Sequence, residues 1–550
     1  MLSWHCSNTL SYLIRDFCII SVGTNTIIFG LGLIGCLNYL NYLGILFGFI
    51  FAFLPMKKKF WKKTKDFWQE TKKDKLCLIL LGLLIFQALV NLIGTLGPEL
   101  GFDALWYHLT IPKIYLQWRK IFFIPGSLFY YSAMPKLTEM FYLLSLVFSP
   151  GGTLAKLIHF SFGILSAITL FNLSKRYLKT RESLIAVLIF YTSLIVGWQS
   201  ITAYVDLART FFEILALDLF LQWWEKDQAK KGNNLLLIES AVMLGLAVST
   251  KLIAFVSFPI YLILIFFKSK RLLNVVHYII LYTAYTVLVP LPWFVFSFIY
   301  TGNPFYPVFS GILDQTHKMV NFNLFRFFKD FWELFYHPQD FISPVFLIFL
   351  PMVVVGIVKG RSVKKLRVLL GYVLLAFIFW YFTPRTGGSR FILPYLPALS
   401  FFIVLLVSKS LAFFQKALFF ITFLVSIINI SYRFLANFKY LPVITGRISK
   451  NDFLAKNLNF SQKDFYDIDG QIKKIVKNDL VLVYGSHNLF YADFYFIHES
   501  YAKNSYPFSY VLIQGEVNQP IPNLGELIYE NRKSMVKLYF YKKQSNGQKI

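Results

Sequence analysis

Long apolar stretches separated by short runs of lysine and arginine recur through the first 430 of the chain's 550 residues. Residues 76–94 and 272–300 are two of them, and each is near the roughly 20 residues that a helix needs to cross a bilayer. The pattern excludes a soluble enzyme, a disordered chain, and a collagen-like or coiled-coil protein. An outer-membrane barrel is also excluded, because its strands alternate in polarity and do not run continuously apolar. Composition agrees: 56% of residues are hydrophobic, 19% are aromatic and 15% are charged, against about 25% charged in an ordinary soluble domain.

The net charge is +27. On a soluble chain that excess would point to nucleic acid, but here the cations lie in clusters between apolar runs and set the topology by the positive-inside rule. Residues 57–75 carry nine lysines and are expected in the cytoplasm, as a basic linker after an N-terminal hydrophobic segment (1–56) of one or two spans, with a turn at 38–41 in the second case. No cleavable signal is expected, because the apolar stretch after Asp16 is too long for one. Residues 76–97 then lead outward. The next basic cluster is Lys175, Arg176, Lys179 and Arg181, and it returns to the cytoplasm only if 98–152 is a single external segment with surface-lying helices. From there 153–173 leads in, 184–200 out, 204–224 in, 235–250 out, 252–267 in, 275–300 out, 341–358 in, 368–382 out, 391–407 in and 411–430 out. The expected fold is mainly α, a polytopic membrane protein of about 13 transmembrane helices. Residues 76–431 form its core.

Composition changes after 431. Strand-like runs at 479–484, 510–514 and 537–541, with a helical pattern at 470–477, predict a small external α/β domain over 432–550. The four cysteines, Cys6, Cys18, Cys36 and Cys77, show neither disulfide nor zinc spacing. No phosphate-binding loop, dinucleotide fingerprint or zinc motif is present, and Gly485-Ser486-His487 reads as a turn.

Ionisable residues at span ends are expensive and mark candidate sites. In this topology they fall on one membrane face. Asp103 and Tyr107 are four apart and share a helix face, with His108 beside them. Lys136 and Glu139 follow in the same external segment. Asp206 and Arg209 begin an inward helix, Lys251 occupies an outer turn, and Arg385 and Arg390 flank Gly387-Gly388 in another outer loop. Carboxylates and cations on one face suit phosphate binding and activation of a hydroxyl. Each residue also has a plainer role open to it. Asp103 is placed to cap a helix, Asp206 to cap its helix and pair with Arg209, His108 to pack, Glu139 to face water, Lys251 to snorkel to the interface, and the two arginines to anchor at it.

The run Phe102-Asp-Ala-Leu-Trp-Tyr-His-Leu-Thr-Ile-Pro-Lys113, followed by Pro135-Lys-Leu-Thr-Glu-Met-Phe-Tyr142, resembles the first external loop of bacterial GT-C glycosyltransferases. These are integral membrane enzymes related to protein O-mannosyltransferases and lipid A aminoarabinose transferases. Ala203-Tyr-Val-Asp-Leu-Ala-Arg209, Gly245-Leu-Ala-Val-Ser-Thr-Lys251, Thr301-Gly-Asn-Pro-Phe-Tyr-Pro307 and Arg390-Phe-Ile-Leu-Pro-Tyr-Leu-Pro397 are similar to further elements of the family, in the same order, so the resemblance covers roughly 76–410. The mannosyltransferases carry an Asp-Glu pair where Ala104 follows Asp103 here, and Glu139 matches the family's second loop acid only loosely.

The resemblance implies transfer of a sugar from a polyprenyl-phosphate donor to a hydroxyl acceptor (lipid, glycan or protein) on the outer face of the cytoplasmic membrane, by a single inverting displacement. Asp103 would be the catalytic base. Tyr107, His108, Glu139, Asp206 and Arg209 would hold the acceptor or sugar, and Lys251, Arg385 and Arg390 the donor phosphate. Neither a metal nor a cofactor is expected, and nucleic acid is not an expected partner. A flippase or transporter of lipid-linked sugars would place its charges near the bilayer midplane and often shows internal repeats. An O-antigen-type polymerase or ligase would carry its main external loop late in the chain. About 13 spans would be an extravagant anchor for a scaffold.

Overall fold

The computed structural model describes residues 8–44, 58–225, 234–268, 271–310, 323–336, 341–352, 364–383, 389–502, 507–517, 521 and 524–541. Most of them are helical. Three helices are long and apolar enough to cross a membrane: Lys75–Leu96, Thr153–Lys175 and Ala412–Phe438. A fourth span forms if Leu272–Leu288 and Leu291–Thr301, bent by 62°, are taken together. The count of about 13 is therefore not reached among the described residues.

The reason is local. Many of the apolar runs break into pieces too short to cover a bilayer core. Pro290 and Pro292 lie at the 62° bend, where proline removes a helical donor and crowds the preceding turn. The expected span at 184–200 is two helices, Thr180–Tyr191 and Leu194–Gln199. Thr192 and Ser193 lie at the break, and their hydroxyls donate back to the Leu188 and Ile189 carbonyls, a local bond that competes with the helix. The expected 252–267 and 391–407 spans each begin as 3-10 turns, Leu252–Ser257 and Leu393–Tyr395. Of the 341–358 span only the helix Val345–Ile348 and its surroundings are described. Near the N-terminus, the helix Asn8–Leu33 ends at Gly35, whose φ is +78°, so the turn precedes 38–41. The chain turns helical again at 40–44, and residues 45–57 lie outside the described ones.

The helix Asp206–Glu225 is buried along almost its whole length. It packs against Thr153–Lys175 on one side and Asn234–Thr250 on the other. The latter packs in turn on Leu272–Leu288, where Gly245 permits close approach: a Cβ there would lie 2.8 Å from the Thr286 carbonyl oxygen, as expected of small residues at packed helix interfaces.

Residues 98–152 form a cap over one end of this bundle. The cap contains a π-helical turn Ala104–His108 and the short helices Thr110–Trp118, Tyr130–Ala133 and Leu137–Phe148. At 12 residues, Leu137–Phe148 is too short to cross a bilayer, and most of its residues are buried in the protein. Lys156 ties the helix Thr153–Lys175 to the end of Lys75–Leu96 by donating to the Gly94 and Gly97 carbonyls at 2.8 Å each, where that helix leaves carbonyls without partners.

The C-terminal region holds a five-stranded sheet of β1 (Val481–Tyr484), β2 (Phe496–His498), β3 (Tyr510–Gln514), β4 (Leu524–Asn531) and β5 (Val536–Tyr541), ordered β2-β1-β3-β5-β4. The first three strands pair in parallel and the β3–β5–β4 edge is antiparallel. Three of the five strands, and the helix Gln471–Val476, coincide with the sequence expectation. β2 is only three residues long, and β4 is half-exposed with an irregular register, so neither carries a strong apolar signal. Lys113 docks the sheet domain onto the cap through the Phe490 and Ala492 carbonyls, at 2.9 and 2.8 Å. Tyr491 adds a bond to the Glu99 carbonyl at 2.9 Å. Lys113→Ala leaves those two carbonyls unpaired, at a cost of about 1–3 kcal/mol. Limited proteolysis should cut the variant between cap and sheet domain several-fold faster than the wild type.

Candidate active site

Four charged residues from four separate elements meet at the capped end of the bundle. Arg390, in the turn Ser389–Phe391, reaches two carboxylates at once: its Nη1 lies 2.6 Å from Asp103 Oδ2 and its Nε 2.9 Å from Asp206 Oδ2. The other oxygen of Asp206 receives Lys251 Nζ at 2.7 Å. The Asp206 side chain is only 1% exposed, whereas those of Asp103, Arg390 and Lys251 are 16–17% exposed. The innermost acid is thus fully paired, and the other three groups keep a route to the outside.

Neighbouring groups hold each member in place. The Arg390 guanidinium lies 4.7 Å from the centre of the Tyr204 ring, a cation–π contact. The Tyr204 hydroxyl accepts from the Asp103 backbone N–H at 3.1 Å. Tyr107 donates to Asp103 Oδ2 at 3.0 Å, so the two residues do share a face. The Asp103 side chain makes no capping bond, which removes the plainer role. Asp206 is positioned by His159, whose Nδ1 faces the Gln199 and Thr202 carbonyls at 3.0 and 2.8 Å while its Nε2 accepts from the Leu207 N–H at 3.0 Å. Those partners require the Nδ1–H tautomer. Glu99 clips the cap's first turn to the turn before Asp206, accepting from Gly101 N–H and from Ala203 N–H at 2.6 Å each.

Burial works to raise the Asp103 pKa, but the charge of Arg390 outweighs it and holds the carboxyl below its ordinary value. Behind it lies a second, more deeply buried pair. His108 Nδ1 is 2.9 Å from Glu139 Oε1, and both side chains are almost fully enclosed. Burial pushes the His108 pKa down, while Glu139, buried beside Lys136, is held below the ordinary carboxylate value. The pair is thus a neutral imidazole donating Nδ1–H to a carboxylate.

The structure therefore brings together Asp103, Tyr107, Asp206, Lys251 and Arg390. It places Arg209 elsewhere: 2% exposed, paired with Glu213 Oε1 at 2.6 Å and lying 6.0 Å from the centre of the Tyr395 ring. Glu213 in turn accepts from Ser257, which contacts the Tyr395 hydroxyl. Arg209 is a buried structural cation, not a partner of Asp206 or a lining residue. Glu139 does not face water, and with His108 it supports the wall behind Asp103. Arg385 lies outside the described residues. Sequence reasoning missed Tyr204, although it sits two residues before Asp206 in the quoted motif, and it missed Glu99 and His159. Their only sequence signal is a polar residue inside an otherwise apolar or turn-forming run. Among the described residues no group of three or more His, Cys, Asp or Glu gathers in a metal-like cluster.

The fold has counterparts among known proteins. Residues 149–304 match the family described as dolichyl-phosphate-mannose-protein mannosyltransferase, a stretch that includes Asp206 and Lys251. ArnT from Cupriavidus metallidurans bound to undecaprenyl phosphate superposes with a TM-score of 0.55 at 12% identity, over 85% of this chain and 99% of that one. Its apo state gives 0.56 at 12% identity, over 84% and 97%. The chain has the GT-C glycosyltransferase fold. The archaeal oligosaccharyltransferase AglB from Archaeoglobus fulgidus is also similar, with a TM-score of 0.47 at 13% identity over 79% of this chain and 69% of that one. No curated protein matches the chain.

Removing one partner of a buried ion pair costs about 3–5 kcal/mol, because the other is left uncompensated. Asp206→Ala should lower the thermal midpoint in detergent strongly. The double variant Asp206→Ala, Lys251→Met should lose less than the sum of the single losses. The Asp103 pair gives a pH signature. A carboxyl with a lowered folded pKa contributes stability above its unfolded value, about pH 4, and loses it as pH falls through the folded value. The melting offset between wild type and Asp103→Asn should be constant from pH 5 to 8 and shrink only below about pH 4.

Proposed function

We propose that the chain transfers a sugar from a polyprenyl-phosphate donor to a hydroxyl acceptor at the outer face of the cytoplasmic membrane, by a single displacement that inverts the anomeric centre. The observation that carries this reading is the pair of cations, Arg390 and Lys251, held on two carboxylates at one capped end of a GT-C helix bundle. The named lipid phosphate in the ArnT structure supports the same substrate kind.

A phosphate entering this end competes with Asp103 for the Arg390 guanidinium, whose planar fork suits either partner. Asp103 loses its stabilising cation in that exchange, and its affinity for a proton rises. A carboxylate clamped below its ordinary pKa is a poor base. Released by the donor phosphate, it becomes a better one at the moment when both substrates are present. The acceptor oxygen then attacks the anomeric carbon and its proton passes to Asp103. The bond from that carbon to the phosphate oxygen breaks, and the polyprenyl phosphate leaves with its charge on Arg390 and Lys251. Tyr107 orients Asp103, and Asp206 holds the two cations, one on each carboxylate oxygen. No step in this reaction calls for a nucleotide or a metal.

The test is a transfer assay in lipid with a panel of polyprenyl-phosphate sugars and a membrane extract as acceptor source, following free polyprenyl phosphate by mass spectrometry. Wild type should release it from at least one donor, and Asp103→Asn should do so at least about 100-fold more slowly, in keeping with loss of a general base. Equal rates would remove Asp103 as the base. No release from any donor would contradict the transferase reading.

A further inference from the structure

A cleft of about 440 Å³ opens between the cap and the sheet domain, lined by Phe102, Gln462, Lys463 and His487. Phe102 immediately precedes Asp103 and is 39% exposed. The His487 ring stacks on it, with centroids 5.1 Å apart and planes 24° apart, and also lies 4.4 Å from the Trp106 ring. From there the aromatic contacts continue inward. Trp106 meets Tyr131 edge-on at 5.1 Å, and Tyr131 stacks at 3.8 Å and 8° on Tyr107, the donor to Asp103. A continuous run of ring faces leads from the open cleft to the carboxylate.

The sheet domain holds its share of this cleft rigidly. Gly485 turns the chain after β1 with φ +72°, and a Cβ there would lie 2.3 Å from the Gln514 carbonyl oxygen. Beyond the turn, His487 N–H and Asn488 N–H both donate to the Lys463 carbonyl, at 3.0 and 3.2 Å. The buried Gln514 side chain donates to the Asp464 carbonyl at 2.8 Å and accepts from Ser486 at 2.7 Å. Asn488 closes the set on Asp464 Oδ1 at 2.6 Å. Two loops are thus stapled side by side so that Lys463 and His487 face one opening. Lys463 itself has φ +68°, a left-handed conformation that costs a non-glycine residue free energy and persists only where its surroundings over-determine it.

We infer that this cleft seats the acceptor and that the acceptor end it takes is a carbohydrate. The inference rests on the transferase reading above and adds the substrate class. An exposed aromatic face beside a side-chain amide, an imidazole and a lysine suits a ring with one apolar face and a rim of hydroxyls. Ligand sites of this size combine aromatic walls with a few placed polar groups. A fatty-acyl chain would leave the Gln462 amide and the Lys463 ammonium without partners, while His487 Nδ1 already meets Asn488 Oδ1 at 2.8 Å. An extended peptide would need a row of backbone donors and acceptors, and these loops spend theirs on each other. Phe102 immediately precedes Asp103, and the ring contacts from His487 through Trp106, Tyr131 and Tyr107 join the cleft to that carboxylate, so a glycan seated in the cleft lies on the approach to it.

The experiment measures binding without any donor, so that it stands apart from the transfer assay. The full chain in lipid nanodiscs is titrated with methyl glycosides of glucose, galactose, mannose and N-acetylglucosamine, and with a serine- and threonine-rich peptide, by saturation-transfer NMR. At least one glycoside should bind. Phe102→Ala and His487→Ala should weaken it about tenfold or more, which corresponds to about 1.4 kcal/mol, and Phe102→Tyr, which keeps the ring, should stay within about twofold. Retained binding in Phe102→Tyr separates a lost stack from a lost fold. Binding of the peptide alone, binding of no glycoside, or affinity unchanged in Phe102→Ala overturns the inference. Glycoside binding by a protein that releases no lipid phosphate would instead count against the transferase reading.

Discussion

The site hangs on one guanidinium shared between two carboxylates. Arg390 comes from the far end of the helical core, Asp103 from the cap and Asp206 from the central helix, and one planar group satisfies both acids while its face rests on Tyr204. Lysine could not make both contacts in fixed directions, because its charge is a point on a flexible stem. The closure also joins three distant parts of the chain, so the cap, the central helix and the Arg390 turn are positioned by the groups proposed to act on substrate. Lys251 balances the fourth charge. The set of two acids and two bases is neutral as a whole, which lets it sit at the end of an apolar bundle without a large uncompensated field.

Around that cluster, buried polar groups act mainly to hold backbone. His159 spends its ring nitrogens on the backbone before and after Asp206, Glu99 binds N–H groups of Gly101 and Ala203, and Lys156 takes carbonyls at the end of the Lys75–Leu96 helix. These bonds satisfy donors and acceptors that an irregular chain segment cannot pair by itself. The cap is broken into short helical turns, whose ends leave backbone groups that the surrounding protein must pair.

Local spacing made part of this legible. Asp103 and Tyr107 meet as residues four apart should, and the basic clusters set 98–152 aside as a segment expected not to cross. The breaks within apolar runs were less visible, since a threonine-serine pair at 192–193 interrupts a helix without changing the mean hydropathy of the run. Arg209 shows where spacing misled. Three residues after Asp206, it turns instead to Glu213 four residues on, and Asp206 is left to partners 45 and 184 residues away. No periodicity encodes contacts at that separation. His487 is similar: in sequence it closes a turn, and only the docking of the sheet domain through Lys113 puts its ring against Phe102.

The central claim is that the Arg390–Lys251 pair exists to receive a lipid-borne phosphate. The most direct measurement compares equilibrium binding of undecaprenyl phosphate and of the uncharged undecaprenol to the chain in nanodiscs, for wild type and for Lys251→Met. The account predicts that wild type prefers the phosphate by about tenfold or more, roughly the 1.5–3 kcal/mol of a charge-assisted hydrogen bond, and that Lys251→Met loses most of that preference. Equal affinity of wild type for the phosphate and the alcohol would contradict it.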